Sequence, residues 1–259
     1  MKKRERQEQT VLELLKVKRK LTLSEVMELL NVSESTARRL FVRLEDDGFA
    51  VRNYGGIQLA GNHSSLEYLY EEEEGQFIEQ KRAIGAYAAS LVEDGDCLYL
   101  DSGTTGAHVA MALADRLAQG ELSHLSVFTN SLMNLEILSR YVTINIIGGE
   151  YRVNRRDFCG YLVEDLLTKL HFTKCFLGAD GFHPQNGFTA TDFRTARLNE
   201  IVMRSSDKRF VVTDSRKFTA TSLVSYSRDQ RIDAVITNAI PAGVELTCLN
   251  DGQTRIVEV

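Results

Sequence analysis

The chain has 259 residues, a net charge of −5, and 43% hydrophobic and 26% charged residues. These values are typical of globular proteins and exclude collagen-like, coiled-coil and wholly disordered chains. No run approaches the roughly 18 uninterrupted apolar residues of a membrane helix. The four cysteines form no CxxC pair, and the five histidines have no metal-ligand spacing. We therefore expect a soluble cytoplasmic protein without disulfides, metal or cofactor.

The charge is unevenly distributed along the chain. Residues 1–60 carry 12 Lys and Arg against 9 Asp and Glu, whereas residues 61–259 carry 19 against 27. Phosphate contacts depend on local positive charge and not on the total. The basic N-terminal part is therefore compatible with a nucleic-acid partner.

Three helices are predicted in the first 60 residues. Apolar residues recur at helical spacing over 4–18, and Thr22-Leu-Ser-Glu25 has the form of a capping box before a second helix. Asn31-Val32 makes a tight connection to a third helix, which Ser33 can cap. The core face of this third helix consists of Ala37, Leu40, Phe41 and Leu44.

A hairpin is predicted after the third helix. Gly48 suits the end of that helix, and residues 49–59 alternate around Tyr54-Gly55-Gly56. Two short helices joined by a few residues have helix-turn-helix geometry, and a hairpin behind them would form a wing. The alternative is a generic helical mini-domain with a solvated arginine face.

The outer face of the third helix carries the candidate DNA contacts. Arginine there can bind guanine or phosphate, and hydroxyls near the helix start can meet backbone phosphates. The predicted DNA-binding residues are Ser35, Thr36, Arg38, Arg39, Val42 and Arg43, with Arg52 on the wing.

Residues 61–75 read as a linker between two domains, 1–60 and 76–259. The Glu71–Glu74 run within it is interpreted as a solvated connector or helix face, the alternative being an acidic interaction tail. After it, helices predicted near 77–92, 105–118, 131–139, 160–170 and 193–206 alternate with short apolar runs. The runs are 97–100, 126–128, 142–147, 174–177, 209–213 and 234–237. This alternation predicts an α/β domain with a largely parallel sheet, whose ligands bind at the carboxyl ends of the strands.

Polar and glycine-rich groups follow these predicted strands. Asp101-Ser-Gly-Thr-Thr-Gly106 opens a helix, where hydroxyls and unpaired N–H groups suit a compact phosphate monoester. It lacks the motifs of a nucleotide P-loop or a dinucleotide site. Comparable groups are Thr129-Asn130, Gly148-Gly149, Gly178-Ala-Asp-Gly181 and Asp214-Ser-Arg-Lys-Phe218. The alternative for each glycine is a simple turn.

These motifs, in this order, resemble the DeoR family of bacterial transcriptional regulators. Thr36, Arg38 and Arg39 match the family's recognition helix, which typically reads Thr-Ile-Arg-Arg-Asp-Leu. The departures are Ala37 for Ile, Leu40 for Asp, Tyr54 for His in the wing, and Arg216 where Ser precedes the lysine. The match extends from about residue 4 to residue 238.

The resemblance implies a winged helix-turn-helix domain and a Rossmann-like α/β effector domain, related to ribose-5-phosphate isomerase-like and CoA-transferase-like folds. In this family that domain senses phosphorylated sugars or other sugar metabolites. By this resemblance Ser102, Gly103, Thr104 and Thr105 would cradle phosphate. The remaining effector-binding candidates are Asp101, Asn130, Gly148, Arg152, Asp180 and Lys217.

The function we expect is a DNA-binding repressor of a carbohydrate-utilisation operon, with double-stranded operator DNA and a sugar phosphate as partners. Symmetric operators favour a homo-oligomer, a dimer or a tetramer. The main alternative is an active sugar-phosphate isomerase or deaminase, with Asp101 or Asp180 as its base. A third is a scaffold that binds neither DNA nor ligand.

Overall fold

The computed structural model describes residues 3–18, 20–46, 50–53, 56–59, 68–228, 230–249 and 252–259. Contacts between Cα atoms divide the chain into two units, Met1–Ser65 and Leu66–Val259. Gly48, Tyr54 and Gly55, as well as residues 61–67 of the predicted linker, lie outside the described residues. Within the described ranges, no helix combines the length and apolarity needed to span a lipid bilayer.

The N-terminal unit contains three helices and three strands. They are α1 (Lys3–Lys18), β1 (Lys20–Thr22), α2 (Leu23–Leu30), α3 (Glu34–Asp46), β2 (Ala50–Asn53) and β3 (Gly56–Leu59). The capping box is present, because the Glu25 N–H donates to Thr22 Oγ1 and the Thr22 N–H donates to Glu25 Oε2. Asn31 ends α2 in the left-handed conformation, φ 48°, which makes the turn to α3 short.

The core of this unit joins all three helices to the sheet. The four predicted core residues of α3 are buried, and they pack with Val11, Leu15, Leu21, Val26, Ala50 and Ile57. Leu40 is only 2% exposed, so the leucine that departs from the family pattern lies inside the core. Strand β1 extends the hairpin to three strands in the order β1-β3-β2. Strand β1 was not predicted, because its three residues are too few to show an alternation of apolar and polar side chains.

The C-terminal unit alternates helices and strands. Its helices are α4 (Tyr70–Glu74), α5 (Ile78–Ser90), α6 (Thr104–Ala118), α7 (Leu132–Leu138), α8 (Tyr161–Leu167) and α9 (Phe193–Arg204), with 3-10 turns at Ser215–Thr219 and Thr247–Leu249. Its strands are β4 (Cys97–Leu100), β5 (Ser126–Thr129), β6 (Ile144–Ile146), β7 (Glu150–Arg152), β8 (Asp157–Cys159), β9 (Phe172–Leu177), β10 (Gly181–His183), β11 (Gly187–Ala190), β12 (Ser206–Val212), β13 (Val224–Ser225), β14 (Ala234–Thr237) and β15 (Arg255–Glu258).

The central sheet is seven-stranded and parallel, in the order β15-β14-β12-β9-β4-β5-β6. The chain runs from β4 through β5 to β6 at one edge. It then returns to β9 on the other side of β4 and continues through β12 and β14 to the opposite edge. The strand order therefore reverses between β4 and β9. In open α/β sheets, ligands bind beside such a reversal, at the carboxyl ends of the strands.

Both faces of the sheet are covered. Leu98 and Leu100 of β4 pack in a cluster with residues of α5 and α6, whereas Tyr99 between them packs in a cluster with residues of α8 and α9. Successive side chains of a strand point to opposite faces, so a strand buried on both faces is continuously apolar. This is why the short apolar runs predicted the central strands.

Several elements differ from the sequence prediction. The helix near 160–170 is confined to α8, and the strand near 142–147 to β6. The edge strand β15, the hairpin β7-β8 and the antiparallel sheet β10-β11-β13 were not predicted. The strands of these two smaller sheets are no longer than four residues and include polar residues, so they lack the continuous apolar pattern.

Candidate DNA-binding face and ligand cleft

Helix α3 presents two exposed arginines. Arg38 donates through Nε to Glu34 Oε1 at 2.8 Å, and Arg39 donates through Nε to the Ser35 carbonyl at 3.2 Å. Both contacts are local to the helix and exposed, so each guanidinium can turn to another acceptor at little cost. Ser35 is also exposed, and its hydroxyl lies 3.1 Å from that of Ser33. The outer face of α3 therefore offers hydroxyl and guanidinium donors to solvent.

Arg43 and Val42 are half-buried, which differs from the expected exposure. Arg43 Nε donates to Glu8 Oε1 of α1 at 2.7 Å, so this arginine ties α3 to α1. Thr36 is also half-buried and its hydroxyl lies 3.0 Å from that of Ser33. Arg52 belongs to β2, and its side chain is outside what the structure describes.

A cleft opens at the reversal of strand order in the central sheet. The backbone N–H of Gly178, which follows β9, donates to Asp101 Oδ2, which follows β4, at 3.0 Å. Burial raises the pKa of the Asp101 carboxyl. The cleft is lined by Tyr68, Glu73, Asp101, Gly103, Thr104, Thr105, Arg155, Gly178, Ala179, Asp180, Ala190, Thr195, Asn199, Asp214 and Lys217. Its cavity volume of about 20 Å³ has room for about one water molecule.

The N-terminus of α6 faces this cleft. Its first residue, Thr104, donates its backbone N–H to the Tyr68 hydroxyl at 3.2 Å, and Gly103 before it provides no side-chain cap. The turn requires glycine at Gly106, because a Cβ atom there would lie 2.6 Å from the Asp101 carbonyl oxygen. The predicted Asp-Ser-Gly-Thr-Thr-Gly group thus forms the strand-to-helix turn that the sequence indicated.

Lys217 reaches the cleft from the 3-10 turn after β12. Its Nζ lies 3.0 Å from Glu73 Oε2, and Arg216 Nη2 lies 3.2 Å from the same oxygen. The side chains of Lys217 and Glu73 are 16% and 22% exposed, so this ion pair is largely shielded from water. The interpretation of the Glu71–Glu74 run as solvated is therefore wrong for Glu73.

A network of charged residues forms the other wall. Arg155 is buried, and its Nη1 donates to Thr191 Oγ1 at 2.8 Å and to Asp180 Oδ2 at 3.3 Å. Burial opposes its charge, but the carboxylates of Asp180 and Asp157 outweigh burial and raise the pKa of Arg155. Its guanidinium stacks 4.1 Å above the Tyr68 ring. The Thr191 hydroxyl also donates to Asp180 Oδ2 at 3.0 Å, so Asp180 is held by a cation and a hydroxyl.

A second cavity of about 450 Å³ lies next to the cleft and shares Tyr68 and Arg155 with it. Arg152 lines this second cavity and not the cleft. Its guanidinium donates to Asp157 at 2.6–2.8 Å and to Asp192, the N-cap residue of α9, at 2.9 Å. These bonds fix the β7-β8 hairpin against α9.

The remaining candidates lie outside the cleft wall. The Ser102 hydroxyl donates to Asp157 Oδ2 at 2.8 Å. Asn130 is 1% exposed, accepts from the Tyr99 hydroxyl at 3.0 Å and donates to the Phe158 carbonyl at 3.0 Å. Gly148 is exposed and lines neither cavity. Asp101, Gly103, Thr104, Thr105, Asp180 and Lys217 are therefore the predicted residues that the structure brings together.

Two family models match the chain. The DeoR-like helix-turn-helix domain matches residues 6–62, and the DeoR C-terminal sensor domain matches residues 76–239. The chain belongs to the DeoR family. Its N-terminal unit is the helix-turn-helix domain of that family, and its C-terminal unit is an α/β sensor domain built on a parallel sheet.

Named members of the DeoR family align along most of this chain. The lactose phosphotransferase system repressor of Lactococcus lactis is 30% identical over 91% of each chain. The putative aga operon transcriptional repressor of Escherichia coli O157:H7 is 30% identical, over 92% of this chain and 87% of its own. The transcriptional repressor GlcR of Bacillus subtilis is 29% identical, over 89% and 87%.

The DeoR-family chain also matches solved structures at low similarity. A D-ribose-5-phosphate isomerase in complex with phospho-erythronic acid has 18% identity and a TM-score of 0.41, over 54% of this chain and 53% of its own. RipA from Yersinia pestis has 14% identity and a TM-score of 0.42, over 62% and 44%.

Sequence reasoning missed Tyr68, Glu73, Arg155 and Asn199 of this DeoR-family cleft. Tyr68 and Glu73 fall in a stretch whose composition is typical of a linker. Arg155 lies three residues after Arg152, and only Arg152 was predicted as an effector-binding residue. Asn199 lies within a helix and not at a strand end. The one signal that this stretch packs against the domain was the presence of two aromatic residues, Tyr68 and Tyr70, among the polar residues of the predicted linker.

Proposed function

We propose that this protein is a DNA-binding transcriptional repressor of a carbohydrate-utilisation operon, controlled by a phosphorylated sugar that binds the cleft of the sensor domain. The similar chains named above include repressors of sugar operons. A regulator of this kind needs a nucleic-acid surface and a small-molecule site on separate units. Helix α3 and the cleft, which lie on different units, are the candidates for these two sites.

The DNA-binding half of the proposal depends on α3. Its exposed Arg38 and Arg39 can donate to guanine or phosphate in the major groove, and Ser35 near the helix start can donate to phosphate. Arg52 on β2 would contact the backbone or the minor groove from the wing. A palindromic operator would be bound by a homo-oligomer, either a dimer or a tetramer.

One observation supports the ligand-binding half most directly: Lys217 and the N-terminal N–H of α6 face one cleft, and both are engaged by groups from residues 68–74. A phosphate monoester carries the charge and acceptors that Lys217 and the helix N-terminus bind. It would replace the Glu73 carboxylate at Lys217 and the Tyr68 hydroxyl at Thr104. Because the cavity holds about one water, ligand binding requires this segment to move.

A sugar-phosphate panel tests the proposal on the full-length protein. It contains ribose 5-phosphate, glucose 6-phosphate, galactose 6-phosphate, fructose 1-phosphate and fructose 6-phosphate, each beside its unphosphorylated sugar. A ligand at 100 times its dissociation constant should stabilise the protein by about 2.7 kcal/mol. It should also release a DNA duplex selected from a randomised pool. If no panel member shifts the melting temperature or DNA binding, the proposal fails.

The same panel tests the enzymatic alternative. Isomerisation requires a base within reach of a sugar carbon, and the carboxylates in the cleft are already engaged. Asp101 accepts from the Gly178 N–H, while Asp180 accepts from Arg155 and from the N–H and hydroxyl of Thr191. We therefore expect no turnover. Conversion of any panel sugar phosphate, detected by NMR, would instead support an isomerase; a deaminase would require an amino-sugar phosphate as the substrate.

A further inference from the structure

Asn199 is a buried amide in the cleft that has no partner within the described part of the chain. It is 1% exposed, and neither its Nδ2 nor its Oδ1 atom has a hydrogen-bond partner. The large majority of buried side-chain polar atoms in proteins are hydrogen-bonded, because leaving one unpaired is costly. An amide that lacks partners at both ends and lines a ligand cleft therefore points to a ligand.

The neighbouring polar residues make the contrast clear. Thr195 lies one turn earlier on the same face of α9 and also lines the cleft. Its hydroxyl accepts from Arg152 at 3.0 Å and donates to Asp192 at 2.8 Å. The buried Asn134 of α7 donates to the Asp101 carbonyl at 2.9 Å. The fold thus satisfies Thr195 and the Asn134 amide nitrogen but neither polar atom of Asn199.

The chemistry of an amide restricts the choice of partner. It is neutral and offers both donors and an acceptor, which matches a hydroxyl group that also donates and accepts. Lys217 and the N-terminus of α6 are already the candidates for binding the charged part of an anionic ligand. Asn199 comes from a different helix on the cleft wall.

We propose that Asn199 recognises a sugar hydroxyl of the effector and so contributes to selectivity for the sugar, separately from the groups that bind phosphate. This inference depends on the proposed function, because it requires a phosphorylated sugar in the cleft. The unpaired amide would then be satisfied only in the complex.

The test compares wild type with Asn199→Leu, which has similar volume and no polar atoms. Isothermal titration with the sugar-phosphate panel and with inorganic phosphate measures both parts of recognition. We expect Asn199→Leu to bind the preferred sugar phosphate roughly tenfold more weakly, the effect of about one lost hydrogen bond. Its affinity for inorganic phosphate should match wild type, and its melting temperature without ligand should equal or exceed that of wild type, because the variant no longer buries an unpaired amide. Asn145→Leu, at an exposed position on β6, is the matched control.

Other outcomes separate the possible failures. If Asn199→Leu binds every panel member like wild type, the inference is wrong and the proposed function stands. If the variant melts at a lower temperature and keeps its ligand selectivity, Asn199 holds a structural water and the inference is again wrong. If the wild-type protein binds no sugar phosphate, the inference falls together with the proposed function.

Discussion

Lys217 Nζ lies 3.0 Å from Glu73 Oε2, in a pair that is mostly shielded from solvent. The carboxylate therefore occupies the position at which an anionic ligand would meet this lysine. An anion that enters the cleft must compete with a group of its own charge from the same chain. The affinity measured for any phosphate will include the cost of displacing Glu73.

Replacing Glu73 by Gln should strengthen sugar-phosphate binding. The substitution keeps the size of the side chain and removes the negative charge that neutralises Lys217. We expect affinity to rise about tenfold, equal to about 1.4 kcal/mol, as measured by isothermal titration. Glu72→Gln, at an exposed position in the same helix, should leave affinity unchanged. Weaker binding by Glu73→Gln would show that Glu73 does not compete with the ligand.

Thr104→Ala and Lys217→Ala should each abolish the effector response while DNA binding persists. Thr104→Ala removes the hydroxyl at the start of α6, and Lys217→Ala removes the ammonium group. Loss of one charged hydrogen bond to phosphate costs about 1.5–3 kcal/mol, or roughly 10- to 150-fold in affinity. The expected phenotype is a repressor that no longer leaves its operator at ordinary metabolite levels. Ligand titration of preformed protein–DNA complex measures it, with Lys169→Ala at an exposed lysine as control. A wild-type response in both variants would place the phosphate site elsewhere.

Arg39→Ala should weaken operator binding and leave sugar-phosphate affinity intact. Arg39 is exposed and contacts only a carbonyl of its own helix among the described contacts, so its removal should not destabilise the fold. If Arg39 contacts a base, its loss should cost about 1–3 kcal/mol of binding free energy at one operator position. If it contacts a phosphate, its loss should reduce the slope of log affinity against log salt concentration by about one. Gel shifts across a salt series distinguish the two roles. Arg82→Ala on α5 is the control, and unchanged DNA binding by Arg39→Ala would exclude this residue from the interface.

We expect the sensor unit to become more stable as the pH rises from about 8 toward about 10, because the buried Lys81 loses its charge in this range. Burial lowers the pKa of Lys81 to about 8, against the carboxylates of Glu73 and Asp214, which favour its charge. The unfolded chain, with an ordinary lysine pKa near 10.5, then binds more protons than the folded one in this window. The free energy of unfolding should increase by at most about 1.4 kcal/mol per pH unit.

Urea unfolding of wild type and Lys81→Met at pH 8 and 9.5 measures this dependence. In Lys81→Met the free energy of unfolding should no longer increase between pH 8 and 9.5, whatever its absolute value, because the buried amine is absent. Lys169→Met, at an exposed lysine whose pKa is raised by Asp165, should keep the wild-type slope. Equal slopes in wild type and Lys81→Met would show that Lys81 titrates normally in the folded protein.

The central sheet and the strand-end loops could be predicted because their signals are local. A run such as Cys97–Leu100 is apolar throughout since both of its faces are buried, and the turn that follows it needs glycine where backbone atoms approach. The role of Glu73 could not be predicted. Its burial depends on Lys217 and Arg216, more than 140 residues later in the chain, and the four-glutamate run resembles a solvated surface.

The same limit explains why the contacts of two predicted site residues could not be foreseen. Arg43 has the spacing of an outer-face residue, but Glu8 of α1 draws it into an interhelical ion pair. Ser102 belongs to a motif with phosphate-binding character, yet its hydroxyl is engaged by Asp157 of the β7-β8 hairpin. In both cases a residue distant in sequence supplies the deciding partner.

Tyr68 and Glu73 lie 9 and 14 residues after Leu59, the last residue of β3, at the start of the sensor unit, Leu66–Val259. A metabolite that displaced them would act on the part of the sensor unit that follows the DNA-binding unit most closely in sequence. Coupling of this kind is reciprocal. If a metabolite weakened operator binding by a given factor, operator binding would weaken the protein's affinity for that metabolite by the same factor.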